Sequence, residues 1–180
     1  MAEFLLELYS EEIPHGLQIS AREEIKKNLL KLLEEQSIKY KSAEVYSTPT
    51  RLVLLLRDLP SEIKIEAKEL RGPKVGVPEN IIEGFMNSHQ ITKKDLFEKK
   101  EEKGNFYCIK KAAKKIFTED VLTKLVPKAI GSVNWKKSMR WSDYDLMWGR
   151  PLRSILAIFN NKHLKFDYHH LASNDGTIIV

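Results

Sequence analysis

Arginine is scarce in this sequence, and where it occurs the context is unusual. The 180 residues contain 23 Lys and only 7 Arg, so Lys supplies the ordinary surface charge. Five of the arginines stand in turn-forming or aromatic surroundings: Thr48-Pro49-Thr50-Arg51-Leu52, Arg71-Gly72-Pro73-Lys74, Met139-Arg140-Trp141 and Arg150-Pro151-Leu152-Arg153. A guanidinium is planar and carries five donors in a fixed fork, which suits two-point contacts to phosphate, carboxylate or carbonyl oxygens. Arg51, Arg71, Arg140, Arg150 and Arg153 are therefore the candidate contact residues, with Lys74 beside Arg71 and Trp141 beside Arg140. All three Trp, at 135, 141 and 148, are interleaved with the last three of these arginines. Lys for long-range attraction, Arg for oriented phosphate contacts and aromatics for stacking on unpaired bases are the components of RNA recognition. The competing use of the same residues is internal: Arg paired with Asp or Glu, and Trp packed in a core.

Catalytic constellations find little support. No Gly-rich phosphate loop occurs, since Gly72-Pro73-Lys74-Val75-Gly76 lacks the spacing to wrap a phosphate chain at a helix start. G-x-S-x-G and H-E-x-x-H patterns are absent. His169-His170 is the one tempting metal feature, but adjacent residues on a strand point to opposite faces and could not chelate one ion. Glu11-Glu12 reads as charge favourable to the start of a following helix. Cys108, the single cysteine, is expected to be an inward-facing small hydrophobe. No catalytic residue and no metal ligand is assigned.

The elements that must carry these residues follow from periodicity and punctuation. Phe4–Tyr9 reads as a strand, and Leu17, Ala21, Ile25, Leu29 and Leu32 recur at helical spacing behind Pro14, giving a helix to about Glu35. Val45–Thr48 and Arg51–Arg57 read as two strands joined at a Pro turn. Ile63 and Ile65 begin a further strand ending at Arg71, with Gly72-Pro73 as terminator and 72–79 as an internal linker. Asn80 is placed to cap a short helix carrying Ile81, Ile82, Phe85 and Met86. Residues 95–113 alternate as a hairpin turning at Gly104-Asn105. Thr118 starts a helix that stops at Gly131, with Glu119 and Asp120 in its first turn and Pro127 bending it. Ile155–Phe159 and His163–His169 read as strands joined at Asn160-Asn161. Both halves mix strands with a helix, so the expected class is α+β, as one domain or as two small α+β subdomains, 1–75 and 76–180.

Composition bounds the setting. With 42% hydrophobic and 31% charged residues, the chain is long enough to bury a core without disulfides or metal. No apolar run exceeds the five residues of Leu52–Leu56, far short of the roughly 20 needed to span a bilayer, and no secretory start is evident. A soluble, cytoplasmic protein is expected. The net charge of +5 is uneven: residues 93–140 hold 14 Lys/Arg against 6 Asp/Glu, a lysine-rich stretch able to attract a polyanion.

Taken in order, Phe4-Leu5-Leu6-Glu7-Leu8 with Glu11-Glu12-Ile13-Pro14, Thr48-Pro49-Thr50-Arg51-Leu52, Arg71-Gly72-Pro73, Glu83-Gly84-Phe85, Met139-Arg140-Trp141 and Arg150-Pro151-Leu152-Arg153 form a set. That set resembles the N-terminal part of the β subunit of bacterial heterotetrameric glycyl-tRNA synthetase, over nearly all of the chain. The family's β subunits are several times longer, so the resemblance implies an N-terminal region, truncated relative to the family. It implies a protein acting with a separate α subunit, tRNA(Gly) and a second β subunit in an α2β2 ligase that joins glycine to tRNA(Gly) at the expense of ATP. Adenylation and glycine binding, with ATP and Mg²⁺, would belong to the α subunit, leaving no cofactor in this chain. The β subunit would contribute tRNA handling and assembly, while the family's His-Asp and anticodon-binding domains would lie beyond residue 180. The seven residues Arg51, Arg71, Lys74, Arg140, Trp141, Arg150 and Arg153 are the expected RNA or subunit contacts. Two alternatives stay open: a docking scaffold with no RNA contact, and a stand-alone RNA-binding module.

Overall fold

The computed structural model describes every residue except 66, 67, 90, 91, 94, 95, 102, 103, 112, 113, 179 and 180. The class is α+β: three helices and twelve strands among the described residues. The chain forms two compact units, one of residues 1–63 with 116–180 and one of residues 64–115. The second unit is thus inserted into the first. This differs from a division at 75/76. The boundaries fall inside β4 (Glu62–Ile65) and β8 (Lys114–Phe117), which pair with each other, and no change of composition marks them. Thr118 draws the leaving and returning chain together, its N–H donating to the Ser61 carbonyl at 3.0 Å and its hydroxyl to the Pro60 carbonyl.

The first unit is a sheet with two helices on one face. Its centre is β1 (Ala2–Ser10), antiparallel to both β3 (Arg51–Leu59) and β9 (Leu152–Phe159). β2 (Ser42–Thr48) continues it beyond β3, while β12 (Leu171–Asn174), parallel to β9, and then β11 (Asp167–Tyr168) continue it on the other side. Strict alternation in β1 places Phe4, Leu6 and Leu8 inward, and Leu52, Leu54 and Leu56 of β3 join them. Against this face lie α1 (His15–Glu35), through Ala21, Ile25, Leu29 and Leu33, and α3 (Thr118–Gly131), through Leu122, Leu125, Val126 and Ile130. Each such buried leucine or isoleucine contributes roughly 1.5–3 kcal/mol by leaving water. The buried ridge of α1 runs 21, 25, 29, 33, so Leu33 takes the deep position and Leu32 is half-buried beside it.

Two expected elements differ at this level. β9 starts at Leu152, three residues before Ile155. The expected strand His163–His169 is broken into β10 (Lys162–His163) and β11 by residues 164–166, where the Ser173 hydroxyl donates to the Leu164 carbonyl and accepts from the Phe166 N–H, and it ends at Tyr168, His169 adopting φ 54° in the turn to β12. His169 and His170 therefore sit in a turn, not on a strand. The Asn160-Asn161 turn forms as expected, with both residues at positive φ, a conformation that Asn tolerates.

The second unit is a three-stranded sheet, β5 (Lys68–Lys74), β7 (Gly104–Lys111) and β6 (Leu96–Glu101) in that order, with α2 (Glu79–His89) on β5. Gly72-Pro73 does not end the strand. β5 is an edge strand, and its register with β7 slips between Arg71 and Lys74, so the proline occupies a bulge where no ladder donor is needed. Gly72 is required by packing: a Cβ there would lie 2.7 Å from the Phe85 ring and 2.9 Å from the Tyr107 carbonyl oxygen. Helix α2 begins at Glu79, one residue ahead of the expected cap at Asn80. The β6–β7 register pairs Glu101 with Gly104 and Lys100 with Asn105, so Gly104 and Asn105 stand in the ladder and do not form the expected turn; residues 102 and 103 lie outside the described residues. Cys108 is buried, as its alternation indicates.

Candidate nucleic-acid and subunit interface

Three of the sequence motifs, at residues 11–14, 48–52 and 150–153, meet at one end of the large sheet. β1 ends there, while β3 and β9 begin there. The register pairs Tyr9 with Arg51 on one side and with Ser154 on the other. Beyond the strand the pairing continues through loops: the Ser10 N–H donates to the Thr50 carbonyl, Glu11 to Pro151 and Ile13 to Pro49, at 2.9, 2.9 and 2.7 Å. Pro49 and Pro151 have no N–H to offer, and here each serves as an acceptor. The β1–β9 register slips between Tyr9 and Ser10, which pairs Ser10 with Leu152 and leaves Arg153 as the extra residue. A bulge of this kind re-aims a side chain.

The bulge brings Arg153 onto Glu11. Its Nε and Nη2 both donate to Glu11 Oε1, at 2.9 and 2.5 Å. Arg150 donates from Nε to the Glu12 carbonyl at 3.2 Å and from Nη1 to the Gly149 carbonyl at 3.4 Å. Arg51 lies 4.7 Å from the Tyr9 ring centroid, pairs with Glu7 at 3.5 Å, and donates to the Ile178 carbonyl. Glu7 also accepts from the Thr177 hydroxyl at 2.6 Å. Arg51, Arg150 and Arg153 are thus gathered into one frame and engaged by partners of the same chain. Glu11 and Glu12 belong to that frame, Glu11 through its carboxylate and Glu12 through its backbone carbonyl, and both stand ahead of α1.

Arg140 and Trp141 belong to the segment 132–151 between α3 and β9. Met139 and Trp148 form an isolated antiparallel bridge, each N–H donating to the other's carbonyl at 2.8 and 3.2 Å. This closes a loop over residues 140–147. Leu146 and Trp148 anchor it in the core, Trp148 being 1% exposed and set edge-on to Trp135 at 4.8 Å. Trp141 is half-buried, and Arg140 faces Asp145 at 4.0 Å. Tyr144, which no sequence motif marks, and His170, marked in the sequence only as half of a His pair, complete the surface: His170 stacks on Tyr144, with centroids 3.6 Å apart and planes 7° from parallel, and meets the Trp141 ring edge-on at 6.0 Å. The 26-residue separation of Tyr144 and His170 is bridged only by the tertiary fold.

Arg71 and Lys74 lie in the inserted unit, on β5. The Arg71 guanidinium sits 3.6 Å from the Phe106 ring centroid, and the Lys74 stem passes over Gly104, its Cε 2.7 Å from where a Cβ would stand. Glu79 and Lys93 of the same unit are hydrogen-bonded, which holds the Glu79 carboxyl below and the Lys93 ammonium above their ordinary ranges. Among the described residues no group of His, Cys, Asp or Glu is arranged to hold a metal ion, and no helix is long and apolar enough to cross a membrane.

Comparison with known proteins converges on one family. Residues 4–179 match the family model described as glycyl-tRNA synthetase beta subunit. The glycine--tRNA ligase beta subunit of Rickettsia prowazekii (strain Madrid E) is 37% identical over 177 residues, covering 98% of this chain and 26% of the relative. Those of Rickettsia bellii (strain OSU 85-389) and Rickettsia akari (strain Hartford) are 36% and 35% identical, each over 98% of this chain and 27% of their own length. The chain therefore spans about a quarter of the length of the curated relatives it matches.

Proposed function

Because the chain belongs to the glycyl-tRNA synthetase beta subunit family, we propose that it acts as a non-catalytic N-terminal part of the β subunit of glycine--tRNA ligase. It contributes tRNA handling and subunit assembly to a cytoplasmic α2β2 complex that converts ATP, glycine and tRNA(Gly) to glycyl-tRNA(Gly). ATP and Mg²⁺ chemistry falls to the α subunit. The observation that carries this reading is the frame at the end of the sheet: three distant motifs converge to hold a rigid base from which the 140–147 loop is presented. A rigid base bearing an exposed loop with Arg, Trp and Tyr suits binding of a partner.

A second reading, a docking scaffold without RNA contact, is favoured by one specific feature. Arg51, Arg150 and Arg153 already spend donors on Glu7, Glu11 and backbone carbonyls. On that reading their part is to lock the fold. The discriminating measurement is the affinity of the chain for tRNA(Gly) and for an unrelated tRNA over a salt series, alongside its association with the α subunit. Preference for tRNA(Gly) with a steep salt slope supports tRNA handling. Association with α and no tRNA binding supports the scaffold, and neither would overturn both.

A further inference from the structure

Tyr144 is 41% exposed although one of its faces is covered by the His170 imidazole. Met139 and Met147, at either end of the same closed loop, are also among the exposed large hydrophobics. A loop anchored by Leu146 and Trp148 and fastened by the 139–148 bridge has the means to bury these groups but does not. Exposed aromatic surface held on a rigid base is a mark of an interaction site.

We propose that the Tyr144–His170 pair, backed by Trp141, is a stacking platform for an unpaired nucleobase of RNA. Two near-parallel rings 3.6 Å apart already have the spacing of a base stack, and a base laid on the outer Tyr144 face extends it by one layer. Every base presents a π-face, so such a platform takes single-stranded RNA and not the interior of a duplex. The charges around the loop are consistent with a base-first contact. Lys136, Lys137 and Arg140 precede the platform and can meet the backbone, whereas exposed Asp143 and Asp145 flank Tyr144 and would repel a phosphate there. Carboxylates in that position accept from the amino groups of cytosine or adenine. The inference rests on the tRNA-handling reading and narrows it to one loop and one kind of contact.

The test measures binding of the 180-residue chain to a short single-stranded RNA, to the same strand in a duplex, and to tRNA(Gly), across a salt series. Wild type should prefer the single strand to the duplex. Tyr144→Ala should weaken single-strand binding about tenfold at every salt concentration without changing the slope of log K against log salt, since a stacking contact and no phosphate contact is lost. Tyr144→Phe should retain wild-type affinity, and thermal unfolding of both variants confirms that the loop's base is intact. Equal binding by wild type and Tyr144→Ala, an equal loss for duplex, or a loss confined to association with the α subunit would each overturn the platform. Undiminished tRNA(Gly) binding by Tyr144→Ala removes the platform and leaves tRNA handling standing, whereas absence of any RNA binding by wild type removes both.

Discussion

Glu11 and Arg153, 142 residues apart in the chain, are joined by two hydrogen bonds to a single carboxylate oxygen, and the bulge at Arg153 is what lets them meet. Both side chains are about half exposed, so the pair is solvated and its coupling is modest. A double-mutant cycle of Glu11→Gln and Arg153→Gln, read by chemical denaturation, should give a coupling of about 0.2–1 kcal/mol. Coupling of several kcal/mol would mean that the frame is far drier than its exposure indicates.

Gly149 is predicted to be intolerant of any side chain. A Cβ there would lie 2.3 Å from Cε3 and Cζ3 of Trp135, whose ring packs on Trp148. Gly149→Ala should destabilise the protein by about 1–3 kcal/mol, with a matching loss of the Trp near-ultraviolet signal. Combining it with Trp135→Leu, which removes the clashing ring, should give less than the sum of the two single losses. Strict additivity would refute the steric account.

Within the inserted unit, Gly72→Ala should detach α2 from β5, because both the Phe85 ring and the Tyr107 carbonyl would have to yield. Cys108 is buried in the same three-stranded sheet and so provides the readout. Its thiol should react slowly with an aromatic disulfide reagent in the wild type and faster in Gly72→Ala under native conditions, since compact units can open independently of the rest. Unchanged thiol reactivity would show that the unit absorbs the extra methyl.

Tyr168 is buried, and burial pushes its hydroxyl above the ordinary value of 10.0. A group whose folded-state value is raised stabilises the fold fully below its unfolded value, and this contribution falls away as pH rises through the folded one. Stability should therefore drop above about pH 10, and Tyr168→Phe should flatten that drop while leaving the neutral-pH transition nearly in place. An alkaline loss identical in Tyr168→Phe would assign it to other groups.

Local patterns carried much of the architecture. The alternation of Phe4, Leu6 and Leu8, the helical spacing behind Pro14, and the Pro49 turn between two strands all depend on neighbours within a few residues, and all three appear, with Leu33 in place of Leu32 on the helix's buried ridge. Gly72-Pro73 was misleading for a physical reason: the same residues that stop a strand in isolation are tolerated at a bulge on an edge strand, and only the position of β5 in its sheet distinguishes the two. His163–His169 has strand-like composition throughout, and its interruption at residues 164–166, where Leu164 and Phe166 bond to the Ser173 hydroxyl of β12, depends on a partner outside the segment.

What the sequence determined by itself is the chemistry available: scarce arginines in turn contexts, aromatics interleaved with them, and the hydrophobic periods that build β1, α1 and β3. Those are properties of residue type and short-range spacing. Tertiary structure alone decided how that chemistry is used. The central position of β1 between β3 and β9 sets Arg51 beside Glu7 and Arg153 beside Glu11, and the return of the chain at His170 sets an imidazole on Tyr144. Partners separated by 26 to 142 residues are chosen by strand order and register, which arise from burying the whole apolar face at once and leave no mark in any short stretch of sequence.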